Sequence, residues 1–145
     1  AATKAFSELK LNESLMNNVN SLEKGYTIGI TSGVYQIWEL IKEKNTIISD
    51  LIGCSNLDKL KYIITPSVKK HVTSELKRKG KKVIALGDSI IDIPMLEESD
   101  EGYIVAHEKV NSCVKKYFEN NPETRISQLE YSKFKYESIK IRGAL

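Results

Sequence analysis

The stretch Val83–Asp100, VIALGDSIIDIPMLEESD, decides how this sequence folds. Four apolar residues, Val83–Leu86, run straight into Gly87, and Asp88 and Asp92 follow it four positions apart. A short, unbroken apolar run fits a strand covered on both faces rather than one with a wet side. If a helix starts after Ser89, Asp88 and Asp92 stand one turn apart and face the same space above the sheet. Two carboxylates there repel each other and are costly to desolvate unless a cation joins them. Paired hard oxygen ligands, with room for water and phosphate, suit Mg²⁺. Each aspartate also has a plainer reading. Asp88 can cap the next helix, and Asp92 can be a first-turn acid favoured by the helix dipole.

Working outward, the apolar runs alternate with helical patterns. Leu11, Leu15, Val19 and Leu22 recur at helical spacing, with Gly25 as a stop. Tyr26–Thr31 reads as a buried strand, and Val34, Ile37, Trp38 and Ile41 as the next helix face. Thr46–Gly53 is a second strand candidate whose tail can be loop, and Lys61–Thr65 is a third, closed by Pro66. Ser67 can cap a helix with inner face Val68, Val72 and Leu76, ending near Gly80. Val83–Leu86 and Tyr103–Ala106 are further strands. Val110, Cys113, Val114, Tyr117 and Phe118 line a helix that Pro122 would end. Phe134–Ile141 alternates weakly and reads as an edge strand or a tail. Strands alternating with helices predict βαβ units: an α/β, three-layer sandwich around a mostly parallel sheet.

The totals agree with one ordinary domain. The chain has 145 residues, 41% hydrophobic and 28% charged, long enough to bury a core. Net charge is +3, from 22 basic and 19 acidic residues. The basic cluster Lys77–Lys82 has no aromatic residue within it, so it reads as a solvated helix end rather than a nucleic-acid surface. Cys54 and Cys113 lack metal-ligand spacing and neighbour apolar residues, which predicts buried free thiols in a reducing, cytoplasmic setting. No run of about 18 apolar residues occurs, so no membrane partner is expected.

A second chemistry-bearing strand end is Thr31-Ser32-Gly33, set directly before a helix. A hydroxyl and free backbone N–H groups at a helix start make a natural phosphate cradle, although an ordinary Ser/Gly helix start looks the same. Lys69 and Lys70 open the third helix, at the wrong end for its dipole, so a nearby anion would explain them.

In combination these features resemble a known family. VIALGDSIIDIPML is similar to the fourth motif of the haloacid dehalogenase-like (HAD) phosphatases, and GYTIGITSGVY to their second, a strand ending in Ser or Thr. PSVKKHVTSELKRKGKKVIALGD resembles the lysine-bearing helix of the third motif leading into the fourth. The subgroup most resembled is the phosphoserine-phosphatase type. The resemblance implies a Rossmann-like, HAD-type sheet and Mg²⁺-dependent hydrolysis of a small phosphorylated substrate. It implies that Asp88 ligates the metal and that Asp92 does so or holds its water shell. Ser32, with Thr31 as the alternative and Gly33 beside it, would bind the phosphoryl oxygens. Lys69, with Lys70 as a neighbour, would neutralise phosphate and nucleophile.

The family's first motif, Asp-x-Asp, has no counterpart, since no Asp precedes Asp50. Its strand lies mid-sheet in the family, so the sheet is expected to lack the first-motif strand. Residues 1–122 read as a HAD-like core incomplete at its N-terminus, and 123–145 as a C-terminal extension or edge strand. Three explanations stand: motif one lies upstream of Ala1 or on another chain; the protein is a non-catalytic phospholigand-binding or scaffolding module; or FKYESIKIRGAL fills the gap without restoring chemistry.

Overall fold

The structure is a computed structural model that describes residues 25–44, 48–53, 63–106 and 111–130. The chain divides into two compact units at Ile64/Thr65.

In the first unit, β1 (Ile28–Thr31) and β2 (Asp50–Gly53) flank α1 (Tyr35–Lys44). The two strands pair in parallel, from Ile28 opposite Asp50 to Thr31 opposite Gly53. A parallel pair cannot be closed by a tight turn, and α1 lies within the crossover it requires. Gly53 ends β2 under tight contact: a Cβ there would sit 2.8 Å from both Thr31 Cγ2 and Tyr35 Cδ2. Two expectations shift. The tail of the Thr46–Gly53 segment is itself the strand, and α1 buries Ile41 while Val34 and Trp38 are exposed.

The expected strand at Lys61–Thr65 is a correction. Ile63, Ile64 and Thr65 are not paired into a sheet, and Lys61 and Tyr62 lie outside the described residues. Pro66 restricts the residue before it to extended backbone, and Thr65 takes that conformation as a helix cap (φ −102°, ψ 167°). An apolar run followed by Thr-Pro is here the lead-in to a helix.

The second unit begins with α2 (Pro66–Arg78), capped by Thr65 rather than Ser67: Val68 N donates to Thr65 Oγ1 at 3.3 Å. Proline at the first helical position loses nothing, since its N–H would be unpaired there in any case. Just beyond the far end, Gly80 takes a left-handed turn (φ 72°) that suits glycine. The chain continues through β3 (Ile84–Gly87), a 3-10 turn (Ile90–Asp92), α3 (Ile93–Glu98), β4 (Glu101–Ala106), α4 (Ser112–Asn120) and β5 (Ser127–Glu130). The sheet order is β3-β4-β5, all parallel, with Ile84 opposite Glu101 and Tyr103 opposite Ser127.

Helix α3 packs on β3 and β4, and α2 packs along α3. The core of the unit is Ala85, Ile93, Met95, Leu96, Ile104, Val114 and Ile126. The fold class is thus α/β with parallel sheets of Rossmann-like kind, and among the described residues no strand precedes β1.

Side-chain detail departs from the helical periodicity. The buried residues of α2 are Lys69 and Thr73, while Val68, Val72 and Leu76 are half-buried. The basic cluster is largely tied down: Lys77 Nζ donates to Glu98 O at 2.7 Å and lies 3.3 Å from Asp100, Arg78 pairs with Glu75, and Lys82 with Glu101. Cys113 is exposed, not buried, because it follows Asn111, the cap of α4, whose inward residue is Val114. Strand β5 lies within the 123–145 segment read as an extension or edge strand, but upstream of Phe134–Ile141, where the edge strand is placed by pattern. SQLE carries one apolar residue, as suits a strand that is paired on one side only among the described residues, so hydrophobic pattern does not reveal it. Cys54, Val110, the predicted helix at Leu11–Leu22 and the Phe134–Ile141 segment lie outside the described residues.

Candidate functional site

Strand β3 ends at Gly87, and the chain turns through Asp88 and Ser89 into the 3-10 turn that carries Asp92. Asp92 turns back under this loop. Its Oδ2 accepts from Asp88 N at 3.2 Å, Ser89 N at 3.1 Å and Ser89 Oγ at 2.8 Å. Its Oδ1 accepts from Lys69 Nζ at 2.6 Å. The Lys69 and Asp92 side chains are 8% and 6% exposed, a buried ion pair.

Burial alone would push the Asp92 carboxyl up. The hydrogen bonds from Lys69 and Ser89, the Lys69 charge and the Asp88 amide outweigh it and hold the group below the usual carboxylate value. The two lysines therefore differ in kind. Lys69 is buried against Asp92, whereas Lys70 is exposed and lies 3.7 Å from Glu98 Oε2. Both explain cations at a helix start, where the dipole disfavours them.

Gly87 is required by this packing. A Cβ on it would lie 2.8 Å from Asp92 Cγ and 3.0 Å from Oδ2. Gly87→Ala should therefore displace the Asp92 carboxylate and cost about 1–3 kcal/mol, the usual penalty of overpacking, read as a lower urea midpoint. A midpoint equal to wild type would show that the loop yields freely.

Asp88 is the opposite case. It is exposed, and its side chain makes no hydrogen bond or ion pair among the described residues. Among those residues no group of three or more His, Cys, Asp or Glu is arranged to hold a metal ion. A hard cation that keeps most of its water still fits here. Mg²⁺ is commonly held by one or two carboxylates plus phosphate and water, and Asp88 supplies one free carboxylate. Asp92 Oδ1 carries a single donor, so it retains a lone pair for a water of the ion's shell.

The second-motif residues belong to the first unit. Thr31 is buried, and its Oγ1 accepts from Gly33 N at 3.0 Å. Ser32 is exposed, and its Oγ donates to Ile64 O at 3.1 Å. The Gly33 amide and the Ser32 hydroxyl thus have internal partners, and an anion here would take the Ser32 proton from Ile64. The structure brings Lys69 and Asp92 into contact, with Asp88 one loop away, and places Thr31, Ser32 and Gly33 at the end of β1.

Sequence reasoning passed over Ser89. The available signal was a hydroxyl residue set between two aspartates at helix-start spacing, a pattern able to satisfy the second carboxylate locally.

Residues 63–129 match the family model described as haloacid dehalogenase-like hydrolase, which supports a hydrolase of the HAD superfamily for this part of the chain. The match spans α2 through most of β5 and so includes Lys69, Asp88 and Asp92. No curated protein matches the chain.

Proposed function

We propose that the chain supplies the metal- and phosphate-binding part of a Mg²⁺-dependent phosphomonoester hydrolase, of the HAD kind and most like the phosphoserine-phosphatase type. The observation that carries this reading is a buried lysine–carboxylate pair beside a carboxylate without a partner among the described residues, at the carboxyl end of a parallel strand. That end is where open parallel sheets bind their ligands.

In this reading Asp88 ligates the ion, and Asp92 holds Lys69 and a water of the ion's shell. Mg²⁺, when bound, would offset charge on the phosphoryl oxygens. Lys69, kept cationic by Asp92, does the same for the transferring group, where phosphoryl-transfer catalysis gains most of its stabilisation. The family resemblance alone assigns Ser32, whose hydroxyl here meets Ile64 O, to the phosphoryl oxygens, with Thr31 and Gly33 shaping its turn. The attacking carboxylate and its acid–base partner come from outside these residues, since no Asp precedes Asp50. The proposed partner is a small phosphorylated molecule, not nucleic acid or membrane, in the cytoplasm. Against nucleic acid stands the pairing of Lys77, Arg78 and Lys82 with carboxylates.

The absence of an early Asp favours a second reading, a phospholigand-binding module without turnover. Two measurements separate them. Mg²⁺ with inorganic phosphate should raise the melting temperature in both cases. Mg²⁺-dependent hydrolysis of p-nitrophenyl phosphate by the intact gene product is expected only of the enzyme. If neither response appears, both readings fall.

A further inference from the structure

We propose that Ser89 is a positioning residue: its hydroxyl fixes the Asp92 carboxylate edge-on to Lys69 and so sets where the Lys69 ammonium stands. A carboxylate turns easily about its last torsion, which has a broad, roughly two-fold profile. Which oxygen meets Lys69, and at what angle, is therefore decided by what grips the other. Asp92 Oδ2 is gripped by three donors, of which the Ser89 hydroxyl is the nearest at 2.8 Å, against 3.1 Å and 3.2 Å for the two amides. With Oδ2 held, Oδ1 is left presented to Lys69 Nζ at 2.6 Å. Gly87 closes the remaining side, because the Asp92 side chain fills the space that a Cβ would need.

The consequence reaches the lysine. Its ammonium has one described partner, Asp92, and sits at the end of a long, rotamer-rich stem. Freeing Asp92 therefore frees Lys69, although Ser89 never touches it. The proposal rests on the phosphate-site reading only for why the position of Lys69 matters; the contact chain itself is independent of it.

The test reads Lys69 directly, by ¹⁵N NMR of its side-chain ammonium in the full chain. In the wild type that signal should be resolved and slow to exchange with water, as for a fixed, buried donor. In Ser89→Ala the exchange should quicken roughly tenfold or more, the scale of one lost hydrogen bond to a charged group. Ser89→Thr, which keeps the hydroxyl, should restore slow exchange. Ser89→Cys keeps the bulk with a poor donor and should behave like Ala, which preserves the test should Ala fail to fold. Wild-type exchange in both Ala and Cys variants would overturn the proposal and leave the two amides sufficient. Altered Lys69 exchange in a protein that binds neither Mg²⁺ nor phosphate would uphold the positioning role and reject the functional reading.

Discussion

Asp92→Ala should destabilise the protein by about 3–5 kcal/mol, the cost of leaving a buried charge without its partner. The partner is Lys69, only 6% exposed, and water cannot easily replace the carboxylate at Nζ. The same substitution removes the acceptor for Ser89 Oγ and for the amides of Asp88 and Ser89, which is why the upper half of the range is expected. Lys69→Met should cost less, because Asp92 keeps three donors. In the double variant Lys69→Met/Asp92→Leu the losses should not add, since no charge is then left stranded; a double-mutant cycle in urea measures the coupling.

The pH dependence has a definite sign. Asp92 titrates below its ordinary 3.8 in the folded chain. Its contribution to stability is therefore complete above that value and is lost as pH falls through the lower, folded one. Lys69→Met should flatten this acid limb, because it removes the main partner that holds the group down. An Asp92→Ala variant within about 1 kcal/mol of wild type would mean that the Lys69 ammonium reaches water once its partner is gone, whereas a double variant as stable as wild type is what a pair balanced by its own desolvation would give.

Legibility in the sequence followed the physics of each element. The strand Ile84–Gly87 could be read, one residue early at Val83–Leu86, because an unbroken apolar run ending in glycine suits a strand of a parallel sheet, and Asp88 and Asp92 because charge after such a run is conspicuous. The strand ending at Thr31 was clear for the same reason. Ile63–Thr65 misled, since an apolar lead-in to a proline-started helix looks like a strand when only composition is weighed. An edge strand in 123–145 was legible but not its place at β5, for the converse reason: among the described residues β5 has one neighbour, and SQLE offers little apolar surface.

The inward side of α2 could not be inferred from periodicity. Its apolar residues are Val68, Val72 and Leu76, yet Lys69 is buried, because a carboxylate from 23 residues further along the chain waits for it. The opposed fates of the aspartates were equally hidden. Spacing sets both at one turn's separation, but only the hydroxyl between them and the bare glycine before them turn Asp92 inward. Asp88 is left facing out.

That difference makes Asp88→Asn the most informative variant for function. An exposed side chain without partners among the described residues contributes little to folding, so stability should stay within about 0.5 kcal/mol of wild type. The functional effect should be large. Asparagine keeps the shape but offers Mg²⁺ a neutral oxygen in place of a carboxylate, a poor ligand for a hard cation. The rise in melting temperature with Mg²⁺ and inorganic phosphate should therefore vanish. In the wild type it should reach the equivalent of about 2.7 kcal/mol at a hundredfold excess over Kd. Where an Asp-x-Asp motif completes the site, phosphomonoester hydrolysis should fall roughly a thousandfold, as several kcal/mol of charge stabilisation are lost.

The two aspartates thus predict separable phenotypes: loss at Asp92 is felt first as stability, and loss at Asp88 only as binding and turnover. A Ser32→Ala variant gives the contrast, since it removes a neutral donor and leaves the metal ligand in place. If Asp88→Asn kept its full response to Mg²⁺ and phosphate, Asp88 would be no more than a loop residue, and the case for a metal at this strand end would collapse.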